Sequence, residues 1–312
     1  MQKTKKTVFL FPGQGSQFVG MGKDFYQASV IAKDMIDNAS EKIKVDFRKL
    51  LFEENDKLER TEFTQPAILL ISAIAHKLFE DEMMIRASSA MGHSLGEFSA
   101  LVGIGALDYL DGVWLTHKRG KLMQEDCKNI DAGMMALIGL SDEDVENIAK
   151  KARENGKQIW PANYNSKGQI VVAGIKKDLF DLEEIFKKAG AKRAIVLNMS
   201  VASHCPLLAS ASDALKPYLQ EFLKDEFISP IISNVTSEPY QNKKDAIELL
   251  SKQLIEPVLY KQSIENVDPY NDLYIEFGGS VLKGLNKRIT KKPTFSITDM
   301  NSLNSVFDTL SR

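Results

Sequence analysis

The 312-residue chain has little with which to crosslink itself or bind by bulk charge. It has only two cysteines, Cys127 and Cys205. They lie far apart with no C-x-x-C spacing, so they read as free thiols of a reducing compartment rather than a disulfide. Acidic and basic side chains nearly cancel, at a formal net charge of −2, which gives no reason to expect a nucleic-acid partner. No stretch approaches the about 18 apolar residues of a membrane span. The N-terminal residues Met1-Gln2-Lys3-Thr4-Lys5-Lys6 are basic like the start of a signal peptide. The apolar run after them, Val8-Phe9-Leu10-Phe11, stops at Pro12-Gly13, short of the roughly 7–15 residues a secretory segment needs. Internal repeats and low-complexity linkers are absent as well. The expectation is a cytoplasmic chain with no membrane attachment, acting as a monomer.

What remains is an ordinary globular composition, 44% hydrophobic and 26% charged, long enough to bury a catalytic site without disulfides. Val8-Phe9-Leu10-Phe11 reads as a strand buried on both faces, as in a parallel sheet packed between helices. Helices are expected over 24–40 and 64–79, the second with Ile68, Ile71, Ala75 and Leu78 at helical spacing. A strand of weak propensity is expected within 83–91, followed by a helix with Leu95, Phe98, Leu101 and Val102 on one side. The stretch 130–198 has another rhythm. A strand at 134–140 precedes Ser141-Asp142-Glu143-Asp144, an N-cap with first-turn acids for a helix to about 154. Strands at 159–163 and 169–174, a helix at 178–189 and a strand at 194–197 complete a β-α-β-β-α-β order. Beyond lie a helix over 207–223, a strand at 231–235, a helix at 245–254 and a strand at 273–277 ending at Gly278-Gly279. The simplest assembly is a large α/β-hydrolase-like domain with a mostly parallel sheet, made of 1–129 and 199–312. A small ferredoxin-like α+β domain, 130–198, is inserted in it.

Gly92-His93-Ser94-Leu95-Gly96 fits the G-x-S-x-G nucleophile elbow, in which a tight strand-to-helix turn exposes a serine hydroxyl. Nearby helix N-terminal amides favour developing negative charge. The pattern alone also fits a glycine-flanked structural turn; its place between a strand and an amphipathic helix favours the elbow. A serine nucleophile needs a base, and the chain has four histidines. His93 adjoins Ser94, and neighbours across such a turn point apart, which leaves it a supporting or substrate contact. His76 falls in an amphipathic helix as a packing or surface residue, and His117 in a charged helical stretch, where it is expected to be solvated. His204, in the loop Val201-Ala202-Ser203-His204-Cys205-Pro206, is favoured as general base by placement and elimination. The loop Phe11-Pro12-Gly13-Gln14-Gly15-Ser16-Gln17 can offer backbone amides to an oxyanion. A plain turn is the alternative, since it lacks the spacing of either phosphate-binding glycine loop.

These segments together resemble the malonyl-CoA:acyl-carrier-protein transacylases of fatty acid synthesis. The resemblance rests on F-P-G-Q-G-S-Q at 11–17, G-H-S-L-G-E at 92–97, the arginine at 119 and S-H-C-P-L at 203–207. It continues through Gln253 with Pro257-Val258 and the Gly278-Gly279 segment, in family order over nearly the whole chain. It implies that Ser94 attacks the thioester of malonyl-CoA while His204, oriented by a backbone carbonyl at Gln253, takes its proton. It further implies an oxyanion hole from the amides of Gln14 and Leu95, and Arg119 gripping the malonate carboxylate. Without the resemblance Arg119 reads as a surface salt bridge on a charged helix. The implied acceptor is the phosphopantetheine thiol of acyl carrier protein, so the enzyme needs no cofactor of its own. Lys192-Arg193 and Lys287-Arg288 are the basic positions for docking that acidic partner, with ordinary solvated charge as the alternative. His93, Asn163 and Asn165 are expected to touch the active-site loops or substrate.

One position departs from the pattern: Ala202 stands where stand-alone bacterial members commonly carry proline. Alanine-serine-histidine resembles the methylmalonyl pattern of polyketide acyltransferases, although Val201 replaces its aromatic. A discrete polyketide acyltransferase is therefore the second reading. An α/β-hydrolase is disfavoured because over a hundred residues follow His204, and no acid between Ser94 and His204 stands out. A binding module without catalysis leaves the elbow, histidine and arginine unexplained.

Overall fold

The computed structural model describes residues 5–311. Its strands are β1 (Thr7–Phe11), β2 (Ser89–Gly92), β3 (Ala132–Ile138), β4 (Ile159–Ser166), β5 (Gln169–Ile175), β6 (Arg193–Val196), β7 (Glu226–Ile232), β8 (Pro239–Asn242), β9 (Leu273–Phe277) and β10 (Thr294–Ile297). They form a six-stranded sheet in the order β10-β9-β1-β2-β7-β8 and a four-stranded sheet in the order β4-β5-β3-β6.

All five residues of β1 are buried, because helices cover both faces of the large sheet and a central strand must be apolar on each. The sheet is parallel except for β8, which runs antiparallel to β7. Phe11 pairs with Gly92, so the loop after β1 and the turn after β2 leave the sheet side by side. They do so at its carboxyl edge, where open α/β sheets place their ligand sites.

The small sheet is wholly antiparallel, and counted within the unit its strand order is 2-3-1-4. Alternation along β3 sorts its faces. Met135 and Leu137 pack with Val145, Leu179 and Phe186 beneath the helices Asp142–Glu154 and Lys176–Lys188. Met134, Val171 and Ala173 instead join the core of the large sheet. Ser141 caps the first of these helices by accepting the Asp144 amide at 3.1 Å. The sheets are tied together at Val258, whose amide donates to Ala162 and whose carbonyl accepts from Tyr164, at 2.8 and 2.9 Å. Lys261 adds an ion pair to Asp142. A mostly parallel sheet with an antiparallel α+β unit between its strands is the fold class expected from the sequence.

Several local expectations shift. The helix expected over 24–40 is two, Lys23–Ala28 and Val30–Ile43. Ser29 is extended between them, and its hydroxyl accepts the Ala32 amide as an N-cap, a role that competes with helix continuation. The strand expected within 83–91 shrinks to Ser89–Gly92, and that expected at 231–235 lies upstream at Glu226–Ile232. β8 and β10 carry no sequence signal strong enough to anticipate.

His117 is buried, with Nδ1 2.7 Å from the Glu62 carbonyl, so the expectation of a solvated histidine is corrected. The charges around it are on other faces of the helix Tyr109–Cys127. His76 packs edge-on against Phe9 and Phe277, at centroid distances of 5.4 and 5.1 Å. This burial lowers its pKa to about 4, from an ordinary 6.5. Below pH 6.5 the unfolded chain binds a proton that the folded chain refuses, so stability falls as pH drops from 6.5 to 4. The His76 share is about 3 kcal/mol. Denaturant titrations of a His76→Leu variant should show a shallower loss over that window, the remainder belonging to other buried histidines; an unchanged slope excludes this account.

Candidate active site

Ser94 sits between β2 and the helix Gly96–Gly103 at φ 54°, a left-handed conformation that costs a non-glycine residue about 1–2 kcal/mol. Its neighbours explain how the turn closes. A Cβ on Gly92 would lie 1.9 Å from the Gly96 carbonyl carbon, and one on Gly96 would lie 2.1 Å from the Phe11 oxygen. Only glycine permits both approaches, which is the physical content of the G-x-S-x-G pattern here. Asn234, just after β7, locks the turn. Its Oδ1 accepts the Ser94 amide at 2.7 Å, and its Nδ2 donates to the Gly92 carbonyl at 2.7 Å.

His204 also has a left-handed backbone, φ 62°, which aims the ring into the cleft from a loop otherwise buried. Its Nδ1 is 2.6 Å from the Gln253 carbonyl oxygen and its Nε2 is 2.9 Å from Ser94 Oγ. A carbonyl can only accept, so the proton is on Nδ1 and the Nε2 lone pair faces the serine. Burial, and then the nearby Arg119 charge, lower the His204 pKa to about 3. The ring is therefore neutral and able to accept a proton across the physiological range.

Arg119 is 1% exposed, which removes the surface salt-bridge alternative. Nη1 donates to Gln65 Oε1 at 2.6 Å; Nη2 donates to Gln253 Oε1 at 2.9 Å and to Ser94 Oγ at 3.2 Å. The Phe98 ring lies 5.3 Å from the guanidinium carbon, close enough for a cation–π contact. Among the described residues no carboxylate pairs with it directly. Burial lowers its pKa to about 9, opposed by the Glu97 charge. Burial likewise raises Glu97 to about 7, opposed by its hydrogen bonds and by Arg119.

A cleft of about 400 Å³ opens above these groups, lined by Gln14, Leu95, Ser94, His204 and Arg119 on one wall. Met134, Asn163, Asn165, Gln169 and Val171 of the small sheet line the other. Among the described residues, the amides of Gln14 and Leu95 have no hydrogen-bond acceptor, so both are free to bind an oxyanion. His93 turns away from Ser94, with Nε2 2.7 Å from Asn165 Oδ1, and so joins the elbow to the small sheet. Asn163 is buried beside Val258. Lys192, Arg193, Lys287 and Arg288 are exposed and lie outside this cluster. Arg288 Nη1 is 3.4 Å from Gln169 Oε1, and the Lys192 stem covers Gly139, which bonds Gly168 in the β4–β5 turn. Both basic pairs thus flank the turn at the cleft rim. Gln65, Asn234 and Tyr240 carry no mark in the sequence that points to this site, and Glu97 appears there only as the last letter of the G-H-S-L-G-E motif. Only Glu97 left a signal, as an acid in the first turn of an otherwise apolar helix.

The profile of the acyl transferase domain family matches residues 8–282. The chain belongs to this family. This acyltransferase is 37% identical over 310 residues to a Bacillus subtilis protein named malonyl CoA-acyl carrier protein transacylase, covering 98% of this chain and 97% of that one. The crystal structure of malonyl-CoA:acyl carrier protein transacylase from Helicobacter pylori superposes with a TM-score of 0.96 at 46% identity, covering 99% of both chains. A malonyl-transacylase solved in complex with its type II polyketide acyl-carrier protein superposes at 0.93 with 33% identity, covering 97% of this chain and 99% of that one. The whole-chain likeness agrees with the resemblance carried by the motifs.

With His204 neutral, the rate at which a neutral sulfonyl fluoride labels Ser94 should stay level from pH 8 to pH 5. A loss centred near pH 6.5 excludes the depressed pKa.

Proposed function

We propose that the chain moves a malonyl group from malonyl-CoA to the phosphopantetheine thiol of acyl carrier protein by a ping-pong route through malonyl-Ser94. The observation that carries this reading is the buried Arg119, within 3.2 Å of the nucleophile and lacking a direct carboxylate partner. A malonyl group esterified to Ser94 brings its own carboxylate within reach of that guanidinium.

Ser94 Oγ attacks the thioester carbonyl carbon as its proton passes to His204 Nε2. The tetrahedral oxyanion takes the free amides of Gln14 and Leu95, each worth about 3–4 kcal/mol in such sites. Collapse breaks the C–S bond, and the departing CoA sulfur takes the proton from His204. The carrier thiol then enters and gives its proton to His204; its sulfur attacks the ester, and Ser94 leaves with that proton. Arg119 sets the choice of acyl group. An acetyl group leaves the buried guanidinium without a carboxylate, a loss of about 3 kcal/mol relative to malonyl.

The carrier's approach fits the exposed basic residues at the rim. Lys192, Arg193, Lys287 and Arg288 flank the β4–β5 turn, where acidic helices of a carrier would be steered toward the cleft. A role in polyketide rather than fatty acid synthesis is the second reading, favoured by Ala202 beside His204 and by the polyketide carrier complex among the structural relatives.

Incubation with malonyl-CoA should add one malonyl mass to the protein, and Ser94→Ala should abolish it; an unlabelled wild-type protein overturns the mechanism. Arg119→Ala should lower the ratio of malonyl to acetyl labelling about 100-fold, and equal losses for both remove Arg119 from carboxylate recognition. Lys287→Glu with Arg288→Glu should slow transfer to the carrier protein about tenfold while leaving malonyl labelling unchanged. Unimpaired transfer places docking elsewhere.

A further inference from the structure

Beneath the elbow lies a buried group the mechanism above does not use. Glu97 is 1% exposed, one turn beyond the nucleophile. Its Oε1 accepts the Tyr240 hydroxyl at 2.8 Å. Its Oε2 accepts both the Asn234 amide at 3.1 Å and Gln253 Nε2 at 2.8 Å. The backbone amide and Nε2 are obligate donors, so Oε2 acts only as an acceptor.

Gln253 stands between this carboxyl and Arg119. Its Nε2 donates to Glu97 Oε2 and, at 3.0 Å, to the Ser94 carbonyl; its Oε1 accepts from Arg119 Nη2 at 2.9 Å. Turning the carboxamide over would set its NH₂ against the guanidinium, donor to donor, and its oxygen against Glu97, acceptor to acceptor. The acceptor on one side and the donor on the other therefore permit one orientation. Remove the acceptor and what still opposes rotation of the amide is Arg119, the Ser94 carbonyl and a longer contact to Asn234 Oδ1 at 3.4 Å. Nη2 is also the nitrogen that reaches Ser94 Oγ.

We propose that Glu97 is a positioning residue that holds the Gln253 carboxamide in the orientation that aims Arg119 at the substrate's carboxylate. It acts through Arg119, and so on selection of the acyl group, more than on the serine's intrinsic reactivity. His204 is oriented by the Gln253 backbone carbonyl, which amide rotation does not move. The inference rests on the malonyl reading of Arg119 given above.

The test compares Ser94 labelling rates with malonyl-CoA and acetyl-CoA in the full chain, by intact-protein mass spectrometry. Glu97→Met, which removes the acceptor at similar length, should lower the malonyl-to-acetyl ratio about tenfold. Glu97→Gln, which can keep a carbonyl facing Gln253, should restore it to within about threefold of wild type. In an Arg119→Ala background, Glu97→Met should lower the ratio no further, because its effect passes through the guanidinium. Equal loss of both acyl groups, an additive fall in the Arg119→Ala background, or a Gln variant as impaired as Met each overturns the proposal. If Glu97→Met fails to fold, Tyr240→Phe frees one side of the carboxyl and should lower the ratio about twofold with acetyl labelling intact; an unchanged ratio overturns the proposal. A wild-type protein that malonyl-CoA does not label overturns the parent reading, and this inference with it. A labelled wild type whose Glu97→Met variant keeps its ratio overturns the inference alone.

Discussion

Gln253 is the residue on which the geometry of the site turns. Its backbone carbonyl accepts the Nδ1–H of His204, and its carboxamide spans from Glu97 to Arg119 while also holding the Ser94 carbonyl. A carbonyl in place of a carboxylate behind the histidine has an electrostatic consequence. It fixes the tautomer without adding a negative charge to favour an imidazolium, and the adjacent guanidinium disfavours that imidazolium further. The His204 ring is thus kept neutral, and a buried cation is tolerated beside it.

That cation shapes the rest. A guanidinium 1% exposed and without a direct carboxylate is costly unless other groups accept its protons. Gln65, Gln253 and Ser94 accept three hydrogen bonds from its two Nη atoms while the Phe98 face covers it. Neutral acceptors leave the positive charge uncancelled at close range, so an incoming carboxylate gains most there. Glu97 offsets the charge from one amide away, without occupying the fork. The site carries backbone strain of its own, at Ser94 in the elbow and at His204 in its loop, both at positive φ. Asn234 and the approaches at Gly92 and Gly96 hold the serine's turn in place.

Much of this was legible from short patterns. The buried strand at 8–11, the elbow at 92–96 and the β-α-β-β-α-β rhythm follow from local chemistry: apolar runs, glycines at a turn, an N-cap followed by acids. Arg119 was legible only through the motif resemblance, since its helix is charged and nothing local marks which face is buried. The solvated reading of His117 failed for the same reason. Gln65, Asn234 and Tyr240 were not legible at all. Each is an ordinary polar residue near the end of an element or in an apolar helix, and its role exists only once a distant segment supplies the partner.

The sequence by itself determined the chemistry on offer: a serine in a turn that only glycines can close, a histidine in a loop, and an arginine 25 positions beyond the serine, by the numbers 119 − 94. Tertiary structure decided which of these meet. Ser94 and His204 are 110 positions apart, and Arg119 and Gln253 134, yet each pair is in hydrogen-bond contact. Those contacts come from the packing of the Gln253 segment under the elbow, where it bonds both the Ser94 carbonyl and the His204 ring, while the parallel register of Phe11 with Gly92 brings the Gln14 loop alongside. Hydrogen bonds act over about 3 Å, so the partners of Ser94 were settled by folding and not by spacing along the chain.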